Sequence, residues 1–201
     1  MPSGTAKGYA STYTVSGPLD IWFKAAVPGA NGAPTLHTDG TPEATANPNC
    51  VHAGMLKGGG GFNVNAELQE RTSDNLAAPY EVKLLSSSMA LTGEMLQFNA
   101  ALLQIITPGA STPATAPSGK TGITLGSISN VASTCVLGIW EQKTTGKYFN
   151  VVLYDAYQAN GLELSLNRSE DSAANVEFRS KAVSSRATAD QVGAIWIDNL
   201  T

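Results

Sequence analysis

The sequence predicts a mainly β protein, on three grounds. Glycine and proline are abundant, at 20 and 10 of 201 residues, and with many Ser, Thr, Ala and Asn they favour short strands and turns over long helices. Several stretches alternate apolar and polar side chains with period two, the pattern of a half-buried strand. Only one stretch carries helical spacing. The length suits a single domain with long loops, with an arm at 1–17 followed by one domain at 18–201.

Along the chain, residues 1–17 are rich in Gly, Ser and Thr and are expected to form a flexible N-terminal arm. PLDIWFKAAV (18–27) reads as a strand with Ile21 and Phe23 opposite Trp22, and residues 28–50 read as a long Pro- and Gly-containing loop. Loops of that length in compact domains are usually functional or disordered. From Phe62 the alternation is regular: Phe62, Val64, Ala66 and Leu68 against Asn63, Asn65, Glu67 and Gln69. After a polar break at 71–79, Tyr80, Val82 and Leu84 alternate with Glu81 and Lys83, so 62–85 is expected to be a long hairpin with solvated polar faces. SSMALTG (87–93) is read as a third strand.

EMLQFNAALLQIITPG (94–109) follows directly, with Met95, Phe98, Leu102 and Ile105 or Ile106 at helical spacing. Glu94 in the first turn and Pro108-Gly109 as a stop predict one α-helix over about 94–107. A Pro/Ser/Thr loop covers 110–122. Further strands are expected at 123–129, 135–141 and 148–157, with another at 162–168. Near the end, Val176, Phe178, Ser180 and Ala182 alternate with Asn175, Glu177, Arg179 and Lys181, and a polar turn leads to Val192, Ala194 and Trp196 interleaved with Gly193, Ile195 and Ile197. That last strand is apolar on both faces, so a sandwich core or another subunit must cover the second one.

Composition excludes several function classes. The net charge is −4, from 12 basic and 16 acidic residues, and no basic stripe occurs, which argues against nucleic-acid binding through counterion release. Two cysteines, Cys50 and Cys135, are too few for a disulfide framework; they read as reduced thiols, with a single bridge left open. The N-terminus lacks the pattern of a signal peptide, and no run of about 18 apolar residues exists to span a membrane, so a soluble protein made in the cytosol is expected, with no membrane insertion. The sequons at Asn167 and Asn199 therefore carry no weight.

No stretch carries convincing catalytic chemistry. SGKTG (118–122) ends like a phosphate-binding loop, but position 114 is Ala, the preceding loop is Pro-rich and a strand pattern follows, so a turn is the reading. Gly58 to Gly61 lacks dinucleotide spacing and reads as a hinge or bulge before the Phe62 strand. His37, Asp39, Cys50 and His52 match no zinc spacing and lie in or beside one loop. The two histidines offer no positioned base, no G-x-S-x-G elbow occurs, and Glu67, Glu70, Asp74 and Glu170-Asp171 read as solvated acids. No catalytic, metal or cofactor residue is assigned, no cofactor is expected, and an enzyme is not expected.

A long polar-faced strand, a loop, a P-Y-E-V strand, the run SMALTGEMLQF (88–98) passing from strand into one helix, and a terminal F-R-x-K-A…D-Q-V-G-A-I-W-I hairpin together resemble the major tail tube protein of long-tailed (siphovirus-type) bacteriophages. The TLHTDGTPEATANP loop is similar to stretches of that family, and the resemblance covers roughly residues 18–197. It implies a β-sandwich or half-barrel flanked by one helix, assembled as hexameric rings that stack into the tube carrying duplex DNA into the host, in a virion put together in the host cytoplasm. Partners would be further copies of the chain and other tail proteins, with DNA passing unbound. The hairpin would line the lumen through Asn63, Asn65, Glu67, Gln69, Glu70 and Asp74, while Tyr80, Val82, Ile195, Trp196 and Ile197 would make subunit or ring contacts. Members often carry an extra immunoglobulin-like domain, and none is expected here. The low charge of the hairpin suits a surface that a polyanion slides past, and closure across subunits would remove exposed strand edges. Two other readings stand beside it: a capsid-decorating or tail-terminator protein, or a carbohydrate-binding β-sandwich using Trp22, Trp140, Trp196 or tyrosines as stacking platforms, although these aromatics lie in apolar strands.

Overall fold

The β-branched and aromatic stretches pair into a single antiparallel sheet in the computed structural model, which describes residues 15–25, 34–54, 56–72, 78–79, 81–112, 115–126, 131–142, 146–164 and 172–198. The strands are β1 (Val15–Phe23), β2 (Val51–His52), β3 (Gly61–Arg71), β4 (Glu81–Met95), β7 (Thr134–Gln142), β8 (Lys147–Gln158), β9 (Ala174–Ser180) and β10 (Gly193–Ile197); β5 (Ala110–Ser111) and β6 (Thr124–Leu125) form a separate pair, and α1 spans Ala100–Ile106. The sheet order is β2-β1-β7-β8-β9-β4-β3, with β10 beside β8, and it is not closed into a barrel. A mainly β architecture with one helix, of sandwich or half-barrel kind, is therefore what the chain adopts. The proposed arm at 1–17 lies outside the described residues except for its last three positions, which belong to β1.

Strand β8 organises the sheet because it is apolar on both faces. Val151 and Leu153 point into one cluster with Leu19, Ile21, Phe23, Leu91 and Phe178. Val152 and Tyr154 point into a second cluster with Leu137, Ile139 and Cys135. Its edge away from β7 is shared: residues 149–153 pair with β10, and residues 156–158 pair with β9. The terminal strand thus alternates between two environments. Ala194 and Trp196 pack on the second cluster, whereas Ile195 and Ile197 share the face of the first.

Four expected elements differ. The strand expected at 87–93 is the second half of one fifteen-residue strand, β4, which runs on to Met95. The helix consequently starts later than position 94: Met95 pairs with Ala174, the Glu94 carbonyl accepts from the Lys57 N–H, and Asn99 caps α1 by accepting the Leu102 N–H at 2.9 Å. Glu94 therefore lies in a strand and contributes nothing to a helix dipole. The stretch 123–129 supplies only Thr124–Leu125, and in 162–168 only Leu164 makes an isolated bridge, to Ala174, among the described residues.

A polar clamp holds the return to β10 against the second cluster. Arg186, 5% exposed, stacks on the Tyr154 ring at 3.7 Å and pairs with Asp190 at 2.6 Å, and the Tyr154 hydroxyl donates to the other Asp190 oxygen at 2.8 Å. A buried guanidinium is tolerated because charge and hydrogen bonds are met together. Burial, followed by the bond to Asp190, pushes the Tyr154 phenol up to about 12, and burial pushes the Cys135 thiol up to about 12. Both groups are raised above their unfolded values, so the stability they contribute is complete below about pH 8.5 for the thiol and about pH 10 for the phenol, and is lost as pH rises toward 12. Urea unfolding midpoints measured from pH 8 to 12 should fall through that window, and Tyr154→Phe should flatten the upper part of the fall.

Candidate functional site

The hairpin β3–β4 is the feature the sheet does not absorb. Only residues 90–95 of β4 pair with β9; residues 81–89 pair with β3 alone, so 64–71 and 81–89 leave the sheet as a two-stranded ribbon. Every residue from 62 to 71 and from 82 to 88 is exposed. Two-stranded ribbons are marginal in water without a third strand or a packed face.

Register sorts the ribbon's side chains, since directly opposed residues share a face. Phe62 faces Leu91, Val64 faces Met89, Ala66 faces Ser87, Leu68 faces Leu84 and Glu70 faces Val82. Asn63, Asn65, Glu67, Gln69 and Arg71 oppose Ala90, Ser88, Ser86, Lys83 and Glu81 on the other face. The step from Glu67↔Ser86 to Leu68↔Leu84 leaves Leu85 without an opposite residue, a bulge that bends and twists the ribbon. One face is therefore apolar and the other polar. The apolar face is uncovered, with Val64 49%, Leu68 55%, Val82 54% and Leu84 60% exposed.

That apolar face grows out of the first core. Phe62 stacks on Phe149 and Trp140, with centroids 5.6 and 6.1 Å away, and beyond this anchor the same face continues through Val64 to Leu68. At its root a Cβ on Gly60 would collide with Leu19 and the Thr92 carbonyl, so Gly60 serves close packing at the base of the ribbon. Ile195 and Ile197, also 41% and 59% exposed, share the face of Val151 and Phe149. The ribbon and β10 thus extend one apolar surface past the end of the core. Patches of this kind mark interaction sites.

The polar face is close to neutral. Glu81 pairs with Arg71 at 3.1 Å and with Lys83 at 3.3 Å, and the Ser86 hydroxyl donates to Glu67 at 3.0 Å. These exposed pairs contribute little to stability. Of the residues expected to line a lumen, Asn63, Asn65, Glu67 and Gln69 share this face; Glu70 lies on the apolar side opposite Val82, because it is three residues from Glu67 and a strand alternates every two. Asp74 lies outside the described residues. Of the expected contact residues, Val82, Ile195 and Ile197 are exposed, Tyr80 lies outside the described residues, and Trp196 turns to the second cluster instead. The sequence signal for the exposed stripe was present in the period-two alternation; that nothing covers it within the chain is visible only in three dimensions.

The remaining chemical candidates are dispersed. Cys50 donates its thiol to the Phe23 carbonyl at 3.1 Å, and Cys50 and Cys135 are free thiols. His52 is held by Asp20, whose other oxygen accepts the Trp22 indole N–H, while Asp39 is engaged by Thr41. SGKTG forms a turn closed by Lys120 N–H to the Pro117 carbonyl, and the described residues that follow it, 123–126, hold no helix. Trp140 is buried, and Trp22 packs with the second cluster against the His52 ring. Glu170 and Asp171 lie outside the described residues. Among the described residues no group of three or more His, Cys, Asp or Glu side chains is arranged to hold a metal, and no helix is long and apolar enough to cross a membrane.

No protein-family model matches the sequence, and none of the curated proteins is detectably similar to it. The geometry of the ribbon alone therefore carries the functional argument. If its apolar face is solvated in the dispersed protein, Leu68→Asp with Leu84→Asp should leave the urea midpoint of the monomer nearly unchanged, within about 0.5 kcal/mol as for other surface sites. The same pair should sharply lower binding of an apolar fluorescent dye. A loss of several kcal/mol would instead show that the face is packed within the chain.

Proposed function

We propose that the protein is a structural virion protein, the subunit of a phage tail tube, which assembles into rings, hexameric as in the family it resembles, that stack into a conduit for DNA. The observation that carries this reading is the ribbon of 64–71 and 81–89, apolar on one face, near-neutral and polar on the other, with its apolar face exposed at Val64, Leu68, Val82 and Leu84. Ribbons from successive copies laid side by side would pair their free edges and lay their apolar faces against neighbouring subunits. Covering a fully exposed Val or Leu is worth about 1.5–3 kcal/mol, and Val64, Leu68, Val82 and Leu84 are each about half exposed, so covering all four favours assembly by roughly half that sum before ordering costs.

The polar face then supplies the lumen. Asn63, Asn65, Gln69, Ser86 and Ser88 present amide and hydroxyl groups on this face, and Glu67 and Glu81 balance Arg71 and Lys83. A duplex passing such a wall meets no cluster of cations from which to release counterions, so it slides without binding. Contact with other tail proteins would occur at the ends of the tube, and the location would be the virion tail. Chemistry on a substrate has no place in this reading.

Light scattering after gel filtration, followed by negative-stain microscopy of the same fractions over a concentration series, tests it. Rings or hollow tubes with a bore wide enough for duplex DNA are expected, and Glu67→Lys should leave assembly intact while slowing DNA delivery. A monomer at every concentration overturns the reading. Small solid oligomers that bind only a preformed shell would replace it with a capsid-decorating protein.

A further inference from the structure

Four carboxylates gather around the end of the second core where β7 and β8 meet. Asp20, Asp39 and Glu141 line a cavity of about 420 Å³ together with Tyr148. On the other side of the turn at 38–41, a second cavity of about 290 Å³ is lined by His37, Asn150, Trp196 and Asp198. Asp20 is engaged by His52 and Trp22, Asp39 accepts from Thr41, and Asp198 accepts the Tyr148 N–H at 2.9 Å, but Glu141, Asp39 and Asp198 form no ion pair with any described Lys or Arg. Desolvation, and after it the negative field of Glu141, Asp39 and Asp198, hold the Tyr148 phenol above its ordinary value. Lys147, next to Tyr148 on β8, alternates to the opposite face.

The second cavity has an independent sign of an absent partner. Asn150 is 5% exposed and lines it, yet its side-chain oxygen has no hydrogen-bond partner. That oxygen faces the bare α-carbon of Gly40, whose φ of +78° and lack of a side chain keep the turn at 38–41 seated there. Buried amides without partners are costly and uncommon. An acceptor amide, carboxylates and the Trp196 ring are chemistry suited to a cation on an alkyl stem, and the carboxylates are not grouped to hold a metal ion.

Cations of that kind lie at the far end of the same strands. Lys24 is exposed, forms no ion pair among the described residues, and donates its N–H to the Cys135 carbonyl. Lys181 reaches Ser133 at 3.3 Å and Asp155 at 3.0 Å with 57% of its side chain exposed, a pair weak enough to exchange. Cys135 and Glu141 are six residues apart on β7, about 20 Å at the usual rise. One copy cannot bring its own two patches together.

We propose that the groove around Tyr148 and Asn150 is the acceptor half of a head-to-tail contact between copies, seating the ammonium groups of Lys24 and Lys181 from the next copy. Patches that complement each other at opposite ends of one molecule make a heterologous interface, which closes into rings or continues as a filament. The inference rests on the self-assembly reading above and adds to it a second contact, electrostatic where the ribbon's is apolar.

Zero-length carbodiimide cross-linking of a mixture of ¹⁴N- and ¹⁵N-labelled protein, with mass mapping, tests it without any substitution. Mixed-isotope peptides joining Glu141 or Asp198 to Lys24 or Lys181 are expected, and they should disappear at high salt, where exposed charges are screened. Glu141→Lys should raise the concentration needed for assembly by roughly tenfold, about 1.4 kcal/mol, and mixing it with Lys24→Glu should recover part of that. Normal assembly of Glu141→Lys with no such cross-links overturns this contact and leaves the tube reading standing. A wild-type protein that is monomeric throughout and yields no mixed cross-links overturns both.

Discussion

Everything in the fold hangs on β8 being apolar on both faces. Its odd-numbered residues Val151 and Leu153 close the first core, and its even-numbered Val152 and Tyr154 close the second. A strand buried twice needs layers on both sides, and this chain supplies them differently. The first core is enclosed by the curl of the sheet together with Leu102 and Ile106 of α1, with Phe23 meeting Phe178 at 5.1 Å across it. The second is covered by irregular segments, the loop at 34–50 and the return at 181–192, the latter fixed by Arg186 and Asp190.

The shared edge of β8 explains the ribbon. Because β10 occupies residues 149–153, β9 reaches only 156–158, and β4 beyond Ala90 has no neighbour but β3. The two strands keep their amphipathic pattern after leaving the sheet, so the apolar stripe that was core at Leu91 and Met89 becomes surface at Val64, Leu68 and Leu84. Selection for solubility in an isolated monomer would have broken that stripe with charge; here charge is confined to the polar face, apart from Glu70. Such a pattern makes sense when the stripe is covered by another chain.

The sequence made the strands legible wherever one face was polar. Alternation at 62–69 and 175–182 placed β3 and β9, that at 80–85 found only the first part of β4, and the doubly apolar 192–197 pointed to two coverings. It misled where two periods overlap: Met95, Phe98 and Leu102 keep helical spacing across a strand end, and the true start was marked by Asn99, a side chain that caps but carries no hydrophobic signal. The face of Glu70 followed from counting in twos from Glu67, whereas grouping the acids together obscured it. The carboxylates around Tyr148 come from β1, β7, the loop and the end of β10, so no local pattern announces them.

Hydrogen exchange of backbone amides in dispersed and assembled protein tests the central claim most directly. The free edges and solvated faces of 64–71 and 81–89 predict fast exchange outside the β3–β4 hydrogen bonds in the monomer and strong protection of both strands on assembly, while β7 and β8 change little. Equal exchange of the ribbon in both states, with protection arising elsewhere, would contradict the account.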